Sequence, residues 1–259
     1  MTFIDTHSHL YDEAFDADRE QALQRALDAG VSTLLLPDID SSSRPRQQAL
    51  AAAHPGTTYE MAGLHPTSVK EDCEEELRLV HDLLFSGHHY IAVGEVGMDL
   101  YWDRTFEVQQ REALKRQLGW ALELDLPVCL HIRKAHNEVF GLLREMNRPA
   151  WHGVMHCFGG SLQEARRAVE MGFHLGIGGV VTFKNAGLAE IVKEIPLEHL
   201  LLETDAPYLA PAPHRGKRNE SCYIPLVAQK IAELKGIGVE EVADVTTASA
   251  RALFTLPSL

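Results

Sequence analysis

The sequence is short of several things, and each shortage excludes something. Cysteine is scarce: Cys73, Cys129, Cys157 and Cys222 are scattered through 259 residues and form no CxxC pair. Free thiols in a reducing compartment are the expectation, not a disulfide framework. No window approaches the roughly 18 consecutive apolar residues of a membrane span. The first residues, Met1-Thr2-Phe3-Ile4-Asp5, lack a basic stretch followed by an apolar run, so no signal peptide is expected and a cytoplasmic location is. Basic charge is short as well. There are 24 Lys and Arg against 37 Asp and Glu, a net charge of −13. That balance opposes tight nonspecific nucleic-acid binding, which rests on cationic side chains neutralising phosphates. A nuclease with this charge has to rely on metal ions and a local basic patch. Internal repeats, low-complexity tracts and linkers are also missing. The Pro-rich stretch 206–213 is short and reads as a functional loop, so one domain over residues 1–259 is expected.

What is present is an ordinary globular composition, 45% apolar and 24% charged, with 14 histidines as its unusual feature. Short β-rich runs cover residues 3–6, 31–36, 58–63, 90–96, 127–132, 153–157, 174–177 and 200–204. Amphipathic segments lie between them at 16–29, 74–85, 109–123, 137–146 and 163–171, with apolar side chains at helical spacing such as Leu114, Leu118 and Leu122. Two further helical segments, 224–234 and 239–254, close the chain on either side of Gly236 and Gly238. Strands alternating with helices over this length predict an α/β fold, the (β/α)8 TIM barrel. An open doubly wound sheet is the runner-up, because alternation alone does not require closure.

Barrels of this kind carry function at the C-terminal ends of their strands. Those ends read Asp5-Thr6-His7-Ser8-His9, Gly63-Leu64-His65-Pro66, Gly94-Glu95-Val96-Gly97-Met98-Asp99, Leu130-His131-Ile132-Arg133, Met155-His156-Cys157-Phe158 and Glu203-Thr204-Asp205-Ala206-Pro207. Residues two apart in a strand share a face, so His7 and His9 are expected to face the axis together. A lone strand-end histidine is more often structural than ligating, Glu95 between glycines could be a buried ion-pair partner, and Asp205 could form a turn before Pro207. The joint pattern is different, because it gathers these side chains at one mouth. Imidazoles and carboxylates in this number suit two divalent ions, with a carboxylate able to bridge them.

Together with Leu202-Glu203-Thr204-Asp205-Ala206-Pro207-Tyr208-Leu209, His156-Cys157-Phe158-Gly159-Gly160 and Arg215-Gly216-Lys217-Arg218-Asn219-Glu220, these motifs resemble, in order and through nearly the whole chain, those of TatD-type deoxyribonucleases. The run from Glu203 to Leu209 is the most specific, whereas the opening His-x-His is shared with the wider amidohydrolase-like superfamily of metal-dependent hydrolases. The resemblance implies two divalent ions, Mg2+, Mn2+ or Zn2+. His7, His9 and Asp205 would hold the first, Glu95 would bridge, and His131 and His156 would hold the second. It also implies that Asp205 accepts a proton from the attacking water. His65 and the loop around Arg215 and Lys217 would meet the scissile phosphate and its neighbours. Glu203 and Asp5 are candidates to orient the histidines. The chain departs from the family pattern at Lys134, Ser221 and Leu100-Tyr101-Trp102, in loops that would shape the substrate.

The expected activity is hydrolysis of DNA phosphodiester bonds, as a 3′–5′ exonuclease on single-stranded ends. No membrane or obligate protein partner is expected. Tyr101, Trp102 and Phe158 would serve base stacking, and Arg133, Arg215, Lys217 and Arg218 a few phosphate contacts. Two or three contacts predict a log–log salt slope of about −2. The alternative is an esterase or amidohydrolase acting with the same metals on a small molecule or a mischarged aminoacyl-tRNA, which the acidic charge favours. A non-catalytic metal-binding scaffold is a third reading, opposed by the complete ligand set.

Overall fold

The computed structural model describes residues 1–148 and 150–257. The last two residues of the expected 1–259 domain thus lie outside the described part. The strands are β1 (Phe3–Asp5), β2 (Val31–Leu36), β3 (Thr58–Glu60), β4 (Val93–Asp99), β5 (Val128–Arg133), β6 (Gly153–Met155), β7 (Phe173–Ile177) and β8 (Leu200–Leu202). The helices are α1 (Arg19–Asp28), α2 (Arg44–Ala53), α3 (Glu74–Leu84), α4 (Glu107–Leu124), α5 (His136–Glu145), α6 (Leu162–Glu170), α7 (Leu188–Glu194), α8 (Ile224–Lys235) and α9 (Val239–Leu253).

Parallel ladders join β1 to β3 and β4 to β8 in sequence order. Two seams close the circle. At one, the Ile91 amide donates to Glu60 O and the Gly94 amide to Ala62 O, each at 3.0 Å, beside a parallel bridge between Ala62 and Val93. At the other, the Thr6 amide donates to Leu202 O at 3.0 Å, and Ser8 bridges Ala206. The fold is therefore the closed (β/α)8 barrel and not the open sheet.

Inside the barrel, Ile4, Leu35, Met61, Ala92, Cys129, Val154 and Leu201 form an apolar floor. α9 stops this end with Ala250, joined by Phe254 just past its last turn. A larger apolar layer lies between the strands and the surrounding helices, where α4 contributes Leu114, Leu118 and Ala121.

Two helices escape the periodicity. α2 begins with a proline in its first turn and buries Arg44 and Gln47 beside Leu50 and Ala51, which blurs its apolar stripe. α7 is only 7 residues long. β4 also lies three residues later than the apolar run 90–96 predicts. Its register against β5 slips between Val93 and Val96. Such a bulge re-aims the side chain it contains, here Glu95.

Candidate metal centre

Six of the strands, β1, β3, β4, β5, β6 and β8, carry polar side chains at or just beyond their C-terminal ends, above the apolar floor. On β5 the alternation is direct: Cys129 lies in the floor, His131 in the mouth and Arg133 at the rim. His7 and His9 stand beyond the regular end of β1, but their segment stays extended. The Asp205 amide donates to His7 O and the His9 amide to Ala206 O, both at 2.9 Å. Their Nε2 atoms approach to 3.2 Å.

Glu95 is the hub. It is 2% exposed, so its charge has to be met inside the protein. Its Oε2 lies 3.1 Å from His7 Nε2 and 3.6 Å from His9 Nε2. Its Oε1 lies 2.7 Å from His156 Nε2, 2.8 Å from His131 Nδ1 and 3.3 Å from His65 Nε2. The two carboxylate oxygens thus face two different groups of imidazoles. Asp205 completes the first side, with Oδ1 at 3.5 Å from His9 Nε2 and 3.8 Å from His7 Nε2.

This donor set fits divalent cations. A neutral imidazole has one N–H and one lone pair. Here His7 Nε2 faces His9 Nε2, and His131 Nδ1 faces His65 Nε2 at 3.3 Å and His156 Nε2 at 3.4 Å. Such pairs can share one N–H, but a neutral His131 that gives its Nε2 proton to Asp99 Oδ2 at 3.0 Å turns a bare Nδ1 lone pair on Glu95 Oε1 at 2.8 Å, an opposition that a cation between them relieves. Three groups have ligand atoms mutually within 4.8 Å: His7, His9 and Glu95; His7, His156 and Asp205; His65, Glu95 and His131. The structure therefore gathers His65 with the metal-capable residues, where the family resemblance had it meeting phosphate.

The outer contacts fix which nitrogen faces inward. His131 Nε2 lies 3.0 Å from Asp99 Oδ2, which turns Nδ1 toward Glu95. Asp99 was not singled out in the sequence, although it sits four residues after Glu95 on the same strand. Tyr11 OH lies 2.8 Å from His9 Nδ1 and donates to Pro37 O at 2.6 Å. His7 Nδ1 lies 3.3 Å from Cys129 Sγ. Two buried glutamines of α4 hold the backbone from outside. Gln110 accepts from the Asp99 amide at 2.9 Å, and Gln117 from the Leu64 amide at 2.7 Å, next to His65.

Glu203, a candidate to orient histidines, accepts from the Cys157 amide at 2.6 Å, with Oε1 3.7 Å from His156 Nδ1. It fits there because Gly176 has no side chain: a Cβ at that position would lie 2.1 Å from Glu203 Oε2. Asp5 has a different task. Its carboxylate accepts from the amides of His7 at 3.3 Å and Thr204 at 2.9 Å, tying β1 to the loop that carries Asp205. Burial pushes the Asp5 carboxyl up to about 7 against the pull of these hydrogen bonds.

Charge in the centre is strongly coupled. Burial drives Glu95 toward protonation, but the charges of His156, His65 and His7 overcome it and hold the carboxyl well below its usual range. Burial opposes a cation at His156, yet Glu95 and Glu203 raise its pKa well above that of ordinary imidazole. At His7 burial wins, reinforced by His156, and the pKa falls. Asp205 is pushed up by burial and pulled further down by His9, His156 and His7, so it stays ionised.

Asp205 has a positive φ of 56°, in a region sparsely populated by non-glycine residues. Its neighbourhood holds it there. Asn219, fully buried, donates through Nδ2 to the carbonyls of Thr204 and Tyr208, both at 2.7 Å. Arg218 pairs with Asp18 at 2.7 Å and Glu220 at 2.8 Å. The Arg215–Glu220 segment, expected to meet phosphate, thus acts in part as a latch. Arg215 lies over the Phe183 ring at 4.4 Å. Neither Arg215 nor Lys217 lines the cavity. Arg133 and Lys134 do, in a cavity of about 1050 Å³ above Glu95. Phe158, expected to serve stacking, is buried in the core.

A barrel with this mouth defines the class of metal-dependent hydrolases, and the comparisons agree. A family model described as TatD related DNase matches residues 4–255, and the chain belongs to that family. It is 40% identical over 255 residues to the metal-dependent hydrolase YabD of Bacillus subtilis, covering 98% of this chain and 99% of that one. It is 36% identical over 262 residues to the 3′-5′ ssDNA/RNA exonuclease TatD of Pantoea ananatis, covering 98% and 99%. The crystal structure of YjjV, a TatD homologue from Escherichia coli, superposes with a TM-score of 0.92 at 34% identity and 98% coverage of both chains. Among the described residues, no helix is long and apolar enough to cross a membrane.

Proposed function

We propose that this metal-dependent hydrolase cleaves phosphodiester bonds of DNA, releasing nucleotides in the 3′–5′ direction from single-stranded ends. The observation that carries the reading is the division of Glu95, whose two oxygens serve two separate groups of imidazoles. Two divalent ions bound there would neutralise a nonbridging phosphate oxygen and lower the pKa of the attacking water. Glu95 and Asp205 would bring the only negative charges directly into such a donor set. His7, His9, His65, His131 and His156 are neutral donors once deprotonated, so the centre keeps net positive charge for an anionic substrate. Asp205 is ionised, 16% exposed at its side chain and open to the cavity, which suits it to take a proton from the water. Arg133 and Lys134 supply cations on the cavity wall. The direction of cutting is the one in the name of the Pantoea relative. A cavity of this size takes the end of a strand and a few nucleotides, which favours frayed or single-stranded ends over duplex.

The net charge of −13 supports a second reading, an ester or amide hydrolase for a small molecule or an aminoacyl-tRNA. One assay separates the two. Protein loaded with Mg2+, Mn2+ or Zn2+ is given end-labelled single-stranded DNA, duplex, closed circles, RNA and a p-nitrophenyl ester. Nucleotides should leave linear single strands one at a time, and closed circles should resist. Ester hydrolysis without cleavage of any phosphodiester would overturn the proposal.

A further inference from the structure

The rim holds two large aromatic side chains that folding does not explain. Trp102 is 70% exposed and Tyr101 51%, both in the loop between β4 and α4, whereas Trp151 is buried. Both line the cavity mouth. Their rings stand at 84° with centroids 4.9 Å apart. The Arg133 guanidinium lies 4.1 Å from the Tyr101 ring and 5.0 Å from the Trp102 ring. Arg133 is held by aromatic faces and, among the described residues, has no carboxylate partner within ion-pair distance. Its planar donors therefore stay free for an anion. The loop starts from a fixed point, since Asp99, which also orients His131, accepts from the Tyr101 amide at 3.0 Å.

The spacing relates this cluster to the metal centre. Arg133 lies two residues beyond His131 on the same face of β5, about 6.6 Å further toward solvent at roughly 3.3 Å per strand residue. That is close to one nucleotide step along an extended strand. Tyr208 and Leu209, 54% and 42% exposed, stand on the loop after β8, across the mouth from the loop after β4.

We infer that Tyr101, Trp102 and Arg133 form a nucleotide subsite one step out from the scissile bond. The Trp102 face stacks on a base, and the Arg133 guanidinium meets the adjoining phosphate. The inference rests on the phosphodiesterase reading. Base stacking is tolerant of sequence, because every base presents a π face, so the subsite selects for a nucleic-acid strand without selecting its letters.

The test compares two strands with equal numbers of phosphates: oligothymidylate, and the same strand with abasic sugars inward of its terminal nucleotide. For the metal-loaded wild type, KM should be roughly tenfold higher on the abasic strand, the scale of losing one stacked base. Trp102→Ala should bring that ratio toward one, and Trp102→Phe should keep part of it. In chelator-treated protein, oligothymidylate should quench tryptophan emission while the abasic strand does not, and Trp102→Ala should abolish the quench. A wild-type ratio of one, or an unchanged ratio in Trp102→Ala, overturns the subsite even where strands are cut. If no strand is cut but oligothymidylate still quenches Trp102, the phosphodiesterase reading falls and the base-stacking face stands.

Discussion

The floor and the mouth of the barrel are built from the same strands, one dipeptide apart, yet they share almost no chemistry. β5 passes from Cys129 to His131, β6 from Val154 toward His156, and β8 from Leu201 toward Glu203 and Asp205. A step of about 6.6 Å thus leads from a layer whose one titratable group is the Cys129 thiol, among the floor residues named above, to one where imidazoles and carboxylates crowd together. The floor gains from burying apolar surface. The mouth gathers buried charges that are costly to assemble and are compensated only by one another or by cations. The difference assigns stability to one layer and chemistry to the next. The apolar floor also strengthens electrostatics directly above it.

The sharpest way to break that division is Glu95→Gln. The amide keeps the shape but cannot meet two groups of ligands as an anion. Turnover should fall by roughly a thousandfold, the scale for losing a preorganised charge interaction in a transition state. Metal analysis should show occupancy reduced at both positions. Near-wild-type turnover with full occupancy would refute the hub role. Phe254→Ala attacks the floor instead. Removing a fully buried ring should cost about 3–5 kcal/mol in stability, seen in denaturant unfolding. The rate per folded, metal-loaded molecule should stay close to wild type. A large loss of rate in the folded fraction would mean that floor and mouth are coupled more tightly than their contacts indicate.

A smaller effect is expected one shell out from the ligands. Asp99→Ala frees His131 Nε2 and lets the ring turn, so metal affinity should fall by about 10–100-fold, as is usual when a ligand loses its orienting partner. Excess metal should then recover most of the activity. If added metal does not help, Asp99 has a role beyond orienting His131.

The same contrast explains what could be read from the sequence. The strand pattern and the residues gathered at the mouth were legible because both are local signals: short continuous apolar runs buried on both faces, and polar side chains at or near the ends of six of them. That rule brings His7, His9, His65, Glu95, His131, His156, Glu203 and Asp205 to one mouth, and the family resemblance selects six of them as the ligand set. What escaped depends on contacts distant in sequence. Gln110 and Gln117 look like ordinary polar positions of α4 until the backbone they grip, at Asp99 and Leu64, comes into view. Arg218 looked like a phosphate ligand, but its charge is taken by Asp18, 200 residues away. Asp99 was visible four positions after Glu95 and lacked only the register that puts it beside His131. α2 was hidden by the polar side chains on its buried face.

The smallest expected effect tests where the mouth ends and the acidic outer surface begins. Four cations were candidates for phosphate contact from the sequence: Arg133, Arg215, Lys217 and Arg218. The structure ties Arg218 into ion pairs, leaves Arg215 and Lys217 away from the cavity wall, and adds Lys134 beside Arg133. Two wall cations, at about −0.7 per neutralised phosphate of a single strand, give a log–log salt slope of about −1.4 for DNA binding. Neutralising Arg133 and Lys134 together should flatten the slope by about that amount, whereas neutralising Arg215 and Lys217 together should leave it nearly unchanged. The measurement is an equilibrium titration of labelled single-stranded DNA across a salt series, using the metal-loaded Asp205→Asn variant to prevent cutting. A slope of about −3 or steeper that relaxes on removing Arg215 and Lys217 would place part of the DNA path on the outer loop. The boundary between mouth and surface drawn above would then have to move outward to include it.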